Sequence, residues 1–304
     1  MQSCPPPERK NGELSVAVVI CTYNRPAFLR KCLEGVARLR PAPDEVLVVD
    51  NTPGDQETEW VVREHLARYV VEPSRGLSRA RNRGLKESIS EIVAFLDDDS
   101  VPDEEWLRFL LEPFVDPRVA IVTGEVISRK SFPVETDLPS RFLSDHDPKW
   151  FEIAAFGGLG IGCNMALRRA ACPGWRVFDE RLGRGAPFGG SEESHAFLTL
   201  LSRGFRAIHL PSAVVVHPSK PIQVKLESSR AIAYWLLLFF EFPGHRIELI
   251  QFLVKRLRLK PLSWQRSSPD PGPMITGGWR LRLSAGLGGV LIYLRAMSWR
   301  ESKH

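Results

Sequence analysis

Three adjacent carboxylates, Asp97, Asp98 and Asp99, follow the apolar run "IVAFL" over residues 92–96. Neighbouring carboxylates repel one another, and each is costly to bury without a partner. A single aspartate here would be an ordinary turn or N-cap residue, and "SVPDEEWL" does read as a helix start with acids in its first turn. Three in a row at the carboxyl end of a buried strand point instead to a divalent cation, because hard cations take several oxygen ligands. A second acidic pair, Glu192 and Glu193, opens the helical segment "SEESHAFLTLLSRGF" behind a glycine-rich loop from Gly183 to Gly190. Carboxylates at that position are favourable partners of the helix dipole.

These groups need elements to hold them. "SVAVVIC" (15–21) is a β-branched run stopped by "TYNRP", a buried strand entering a loop. "AFLRKCLEGVARL" places Phe28, Leu29, Cys32, Leu33, Val36 and Leu39 on a helical stripe. A second strand, Val46 to Val49, ends in "DNTPGD"; "GLSRARNRGLKESI" is an arginine-rich helix; a third strand, Ile92 to Leu96, ends at the aspartates. Strand, helix, strand, helix, strand predicts an α/β unit with a mostly parallel sheet. Ligands of such sheets bind beyond the carboxyl ends of the strands. "CTYNR", "DNTPGD" and "DDDS" all fall there. No GxGxxG follows the first strand, which argues against a dinucleotide site; the later "GGLGIG" (157–162) lacks the strand–turn–helix context and reads as a loop near the site. "RAIHLPSAVVVHP" predicts a hairpin or a pair of edge strands ending at His217.

Apolar residues make up 43% and charged residues 25% of the 304, an ordinary globular balance that sets aside disordered and fibrous classes. The N-terminal stretch "MQSCPPPERKNGE" is polar and proline-rich, reads as a flexible tail over 1–13, and is no secretory signal. Five cysteines, an odd number without zinc-type spacing, predict reduced thiols and a cytoplasmic protein. The net charge of +5 is uneven: Phe252 to His304 holds ten Lys or Arg against two acids. A near-neutral body with a basic tail predicts an anionic partner for the tail alone, and nothing in it suggests nucleic acid.

In order, "VVICTYNRP", "VLVVDN", "ARNRGL", "FLDDDSVP", "GCNMALRR", "GGSEES" and "VVVHP" resemble the inverting glycosyltransferases of family 2, which have the GT-A fold. The resemblance covers residues 15 to 218. It implies a GT-A catalytic domain over 14–219, followed by a helical, basic region over 220–304. It implies transfer of a sugar from a nucleotide-diphosphate sugar to an acceptor hydroxyl. Cys21, Tyr23 and Arg25 would line the base pocket, with the Tyr23 ring under the base. Asn51 stands where many members have an aspartate on the pyrimidine edge, and an amide both donates and accepts; a UDP- or dTDP-sugar is the implied donor. Arg81 would lie near the nucleotide or its diphosphate. The aspartate run matches the DxD motif: Asp99 would bind Mn²⁺ or Mg²⁺, Asp97 would share the metal or contact ribose, and Asp98 lies between them on the donor side. His217 matches a histidine that completes the metal site in related enzymes; a histidine ending a strand is as often structural. The family's base belongs to the acidic pair, with Glu193 in the position of the base and Glu192 beside it.

Other classes compete less well. A glycoside hydrolase also uses two carboxylates but needs no nucleotide pocket. A nucleotidyltransferase needs a glycine- and basic-rich loop after the first strand, and a non-catalytic sugar-nucleotide or glycan-binding protein needs neither acidic cluster. The implied acceptor is a glycan or a lipid-linked sugar. Trp150 and Phe151 are acceptor-stacking surfaces or core residues. The apolar stretches 231–242 and 283–294 fall short of the roughly 20 residues of a membrane-spanning helix. Ile247 to Lys260 reads as an amphipathic helix, with Ile250, Leu253, Val254 and Leu257 on one face and Lys255, Arg256, Arg258 and Lys260 near its end. Together with Trp264, Trp279 and Trp299 it predicts either packing on the catalytic domain or peripheral attachment to an anionic inner-membrane surface.

Overall fold

A computed structural model describes residues 14–52, 56–128, 140–218, 224–258 and 279–301. Lys260 and Trp264 lie outside them, and of Lys255, Arg256, Leu257, Arg258, Trp279 and Trp299 only the helical backbone is described. The elements run β1 (Val16–Thr22), α1 (Pro26–Val36), β2 (Glu45–Asp50), α2 (Gln56–Glu64), β3 (Arg68–Val71), α3 (Leu77–Glu87), β4 (Ile92–Asp97), β5 (Val101–Pro102) and α4 (Trp106–Leu111). They continue with β6 (Val119–Ser128), β7 (Arg141–Leu143), α5 (Trp150–Ala155), β8 (Asn164–Arg168), α6 (Glu192–Leu201), β9 (Arg206–His217), α7 (Val224–Glu241), α8 (Arg246–Arg258) and α9 (Trp279–Glu301).

The strands join in one mixed sheet of order β3-β2-β1-β4-β8-β6-β9-β5, with β7 also on β9. The first four are parallel, and the register sets Cys21 beside both Val49 and Asp97. Their polar ends therefore form one row. Successive residues of β1 and β4 face opposite cores: Ala17, Val19, Val93 and Phe95 on one side, Val16, Val18, Ile20, Ala94 and Leu96 on the other. Burial on both faces explains why these strands read as continuous apolar runs. Helix α3 lies close to β1, since a Cβ on Gly84 would come within 2.5 Å of Val19.

Segment 206–217 is a single strand in the body of the sheet, not a hairpin. The turn-like residues 211–213 form a bulge, for Gly124 pairs with Leu210 while the next residue, Glu125, pairs with Val214. A side chain at Gly124 would strike the carbonyl of Ala213 at 2.0 Å. The buried Asn164 amide fills the gap, donating to the carbonyls of Glu125 and Ala213 at 2.8 Å each.

The C-terminal helices share one hydrophobic core with the sheet. Ala233, Tyr234, Leu237, Leu238, Leu249 and Ala296 join the cluster of Phe151, Phe178, Phe188 and Phe197. Phe151, 1% exposed, stacks on His245, so it serves this packing and offers no surface to a sugar. Helices α7 and α9 approach closely at Gly289, where a Cβ would lie 2.6 Å from Ile232. On α8 the inward face is Leu249 and Phe252, while Ile247, Ile250 and Val254 remain exposed. Ile250 and Val254, expected on one face, both point outward. Among the described residues no helix is long and apolar enough to cross a membrane.

Candidate active site

The aspartates at the end of β4 divide their tasks by burial. Asp98 is fully buried and is held by Thr22 Oγ1 at 2.8 Å and by Arg25 Nε at 3.1 Å. Burial pushes its carboxyl up to about 6 against the pull of Arg25 and Thr22. It anchors the loop after β1. Asp99 has the guanidinium of Arg25 on one oxygen, Nη1 at 2.7 Å, and the imidazole of His217 on the other, Nε2 at 3.1 Å. Asp97 is the more open of the three. The ligand atoms of Asp97, Asp99 and His217 all lie within 4.8 Å of one another. Two carboxylates and one imidazole at that spacing suit Mn²⁺ or Mg²⁺.

Arg81, from α3, is 3% exposed and joins this cluster to the acidic pair. Its Nη1 meets Glu192 Oε1 at 2.9 Å, and its Nη2 reaches Asp97 Oδ1 at 3.3 Å and the carbonyl of Gly162 at 3.0 Å. Gly162 is needed there, for a Cβ would stand 2.9 Å from both guanidinium nitrogens. Burial opposes the charge on Arg81, but Glu192 and Asp97 outweigh it and raise the pKa further. Glu193 has no cationic partner among the described residues and is only half-buried. Removal from water and the neighbouring Glu192 push its carboxyl up to about 7, with Arg81 acting in the opposite sense. A carboxylate at that value is suited to take a proton near neutral pH.

Beside Asp97 opens a cavity of about 350 Å³, lined by Cys21, Tyr23, Arg25 and Asn51 among others. It stops short of Asp99, His217 and the acidic pair. Cys21 is a neutral thiol on its wall, pushed up to about 12 by burial. The Tyr23 ring, expected under a base, carries the guanidinium of Arg75 at 4.9 Å from its centroid. The amide of Asn51 is taken up within the chain: it donates to the carbonyls of Glu72 and Ser74 at 2.8 and 2.9 Å and accepts from Gly76 N at 2.7 Å. Its work is to shape the loop entering α3, where Gly76 sits at φ 144°, a conformation that favours glycine. Arg75 and Arg184 line the same cavity and were not singled out by sequence. The usable signal for Arg184 was its place between two glycines, "GRG", in a loop able to approach a ligand.

The family model for glycosyl transferase family 2 matches residues 17–173. The chain belongs to glycosyl transferase family 2. Among similar proteins is the succinoglycan biosynthesis protein ExoM of Rhizobium meliloti, 29% identical over 74% of this chain and 72% of that protein. A pre-mycofactocin glycosyltransferase of Mycobacterium tuberculosis is 33% identical over 41% of this chain, and the match spans only 26% of that relative's length. Among solved structures, the mannosyltransferase PcManGT from Pyrobaculum calidifontis, in complex with GDP-Man and Mn²⁺, shares the fold with a TM-score of 0.54 and 18% identity, over 97% of this chain and 77% of that one. TarS of S. aureus gives a TM-score of 0.59 at 16% identity, over 82% of this chain and 44% of that one. The family-2 chain thus has the GT-A type of fold.

Proposed function

We propose that this protein moves a sugar from a nucleoside-diphosphate sugar to an acceptor hydroxyl, with inversion at the anomeric carbon. The observation that carries this is Arg81, one buried cation bridging the aspartates of β4 to the acidic pair of α6. It sets a metal-type cluster and a proton acceptor on two sides of one reaction centre. Nucleotide and diphosphate lie in the cavity beside Asp97, where Arg75 and Arg184 offer charge to the phosphates. Asp97, Asp99 and His217 would hold Mn²⁺ or Mg²⁺, which supplies charge neutralisation to the departing diphosphate. Glu192 is neutralised by Arg81, which leaves Glu193 as the base. Glu193 takes the proton of the acceptor hydroxyl as that oxygen attacks the anomeric carbon. The bond from carbon to the β-phosphate oxygen breaks on the opposite face, and configuration inverts.

The test is a panel of UDP-, dTDP- and GDP-sugars with Mn²⁺, read by donor hydrolysis and by thermal shift. Turnover of one donor, lost in Glu193→Gln with its thermal shift retained, supports the assignment. Binding without turnover in the unaltered protein would leave a sugar-nucleotide-binding protein.

The acceptor we propose is a glycan carried on a lipid, met at an anionic membrane surface. Two exposed apolar rows support this: Ile247, Ile250 and Val254 on α8, and Leu287, Val290, Leu291 and Leu294 on α9 at helical spacing. They belong to a C-terminal stretch whose charge is strongly positive, as a peripheral interfacial helix requires. Flotation with anionic vesicles at low and high salt decides it; absence of binding at low salt would refute it.

A further inference from the structure

Helix α6 carries the acidic pair in its first turn, yet that turn has no side-chain cap. Ser191, at the N-cap, sits at φ 66° and makes no capping bond. A helix end entered in this way is placed by tertiary contacts rather than by its own sequence. In front, Glu192 pairs with Arg81. Behind, His195 Nε2 lies 3.0 Å from Glu241 Oε2, at the last residue of α7. The other oxygen of Glu241 accepts from Arg181 Nη2 at 2.5 Å. Arg181, 5% exposed, also grips Asp179, and it leads directly into the glycine loop that ends at the acidic pair.

Asp179, His195 and Glu241 bring ligand atoms within 4.8 Å of one another, the spacing of a metal site. Here the cation is Arg181, which holds Asp179 and one oxygen of Glu241 while His195 takes the other. Burial opposes ionisation of both carboxylates, but their bonds to Arg181 and His195 prevail and hold both below the usual range. Helix α7 turns two further groups toward the same region. Arg230 lies over the glycine loop, where a Cβ on Gly189 would meet its Nε at 2.5 Å. Tyr234, two turns before Glu241, is buried, and its hydroxyl has no hydrogen-bond partner among the described residues.

We propose that Glu241 is a positioning residue for the acidic pair: through His195 it fixes the first turn of α6, and through Arg181 it fixes the loop leading into that turn. Helix α7 is then part of the catalytic machinery. The inference rests on Glu193 being the base.

The test compares Glu241→Gln and His195→Asn with the unaltered enzyme, using the donor that turns over in the sugar-nucleotide panel. Displacing a base by a fraction of an ångström to an ångström predicts a fall in kcat of about ten- to a hundred-fold, with the donor KM unchanged. Hydrogen exchange should quicken at residues 192–198 and stay unaltered over α3. Glu241→Gln introduced into Glu193→Gln should cost nothing more, since no base remains to be misplaced; a general loss of stability would instead lower the residual rate again. Full kcat in both single variants, equal losses in the two backgrounds, or unfolding of both variants would overturn the positioning role. Should Glu193→Gln itself keep full activity, it is the assignment of the base that fails, and the exchange data still decide whether Glu241 holds α6.

Discussion

The raised pKa of Glu193 makes the pH–rate profile a direct test of its role. A general base works when deprotonated, so kcat/KM must fall as pH drops through the base's own pKa in the free enzyme. With that value at about 7, the base is about 91% ionised at pH 8 and about 9% at pH 6, a tenfold loss of rate, with a further tenfold for each unit below. An unperturbed glutamate would hold the rate level down to about pH 5. The groups facing Glu193 are Glu192 on its own helix, Arg81 from α3, Asp97 from β4 and Tyr234 from α7. Glu192 raises the value and Arg81 lowers it, so Glu192→Gln removes a like charge and also frees Arg81. Both effects have the same sign, and the acid limb must move to lower pH. The assay is initial rate against pH from 5 to 9 at saturating Mn²⁺, so that loss of the cation does not mimic the limb. A wild-type limb centred near pH 5, or one that stays in place in Glu192→Gln, would refute the reasoning. Glu193→Gln must show no such limb.

Glu193→Gln should lower kcat by roughly two to four orders of magnitude with little change in donor affinity, measured by single-turnover rates and donor titration. Asp99→Asn should abolish turnover and weaken Mn²⁺-dependent donor binding in a folded protein; activity that persists in EDTA would contradict the metal site. Gly162→Ala should displace Arg81, whose two guanidinium nitrogens lie 2.9 Å from the new methyl, and the loss should appear in kcat while the circular dichroism spectrum is retained. Leu291→Asp together with Leu287→Asp should abolish flotation with anionic vesicles and leave hydrolysis of a soluble donor unchanged.

The parallel half of the sheet was legible because its strands are buried on both faces. Such strands read as continuous β-branched runs, and β1, β2 and β4 were found with bounds within a residue or two. The short β3, "RYVV", has an exposed arginine at its start and too little apolar length to declare itself. The long β9 was misread for a different reason. Its Pro211 and Ser212 are turn residues by type, and only the partner strand, with Gly124 opposite the bulge, makes them compatible with an unbroken ladder. Sequence carries the bulged strand and its glycine far apart, and neither is informative alone.

In the site, residue types were legible and partners were not. An aspartate run shows that charge gathers at a strand end, but it does not say that Asp98 turns inward to Thr22 and Arg25 while Asp99 faces His217. Strand β4 ends at Asp97, and Asp98 and Asp99 lie in the turn that follows, closed by Ser100 N donating to the carbonyl of Asp97 at 3.0 Å; the turn decides which carboxylate meets which partner. Likewise Asn51 looks from sequence like a group that reads a base edge. In the fold its amide donates to the carbonyls of Glu72 and Ser74 and its oxygen accepts from Gly76 N, so its hydrogen bonds shape the loop entering α3. Arg81 is the strongest instance. On an arginine-rich helix it is one cation among four in "SRARNRGLK", and nothing in the sequence sets it apart from the others. Only Arg81 meets a glycine, Gly162, that leaves room for its guanidinium to touch a carbonyl and two carboxylates drawn from separate segments. Its ordinary type and extraordinary surroundings are why the acidic pair and the aspartate run, separate in sequence, are joined through one guanidinium only when the chain is folded.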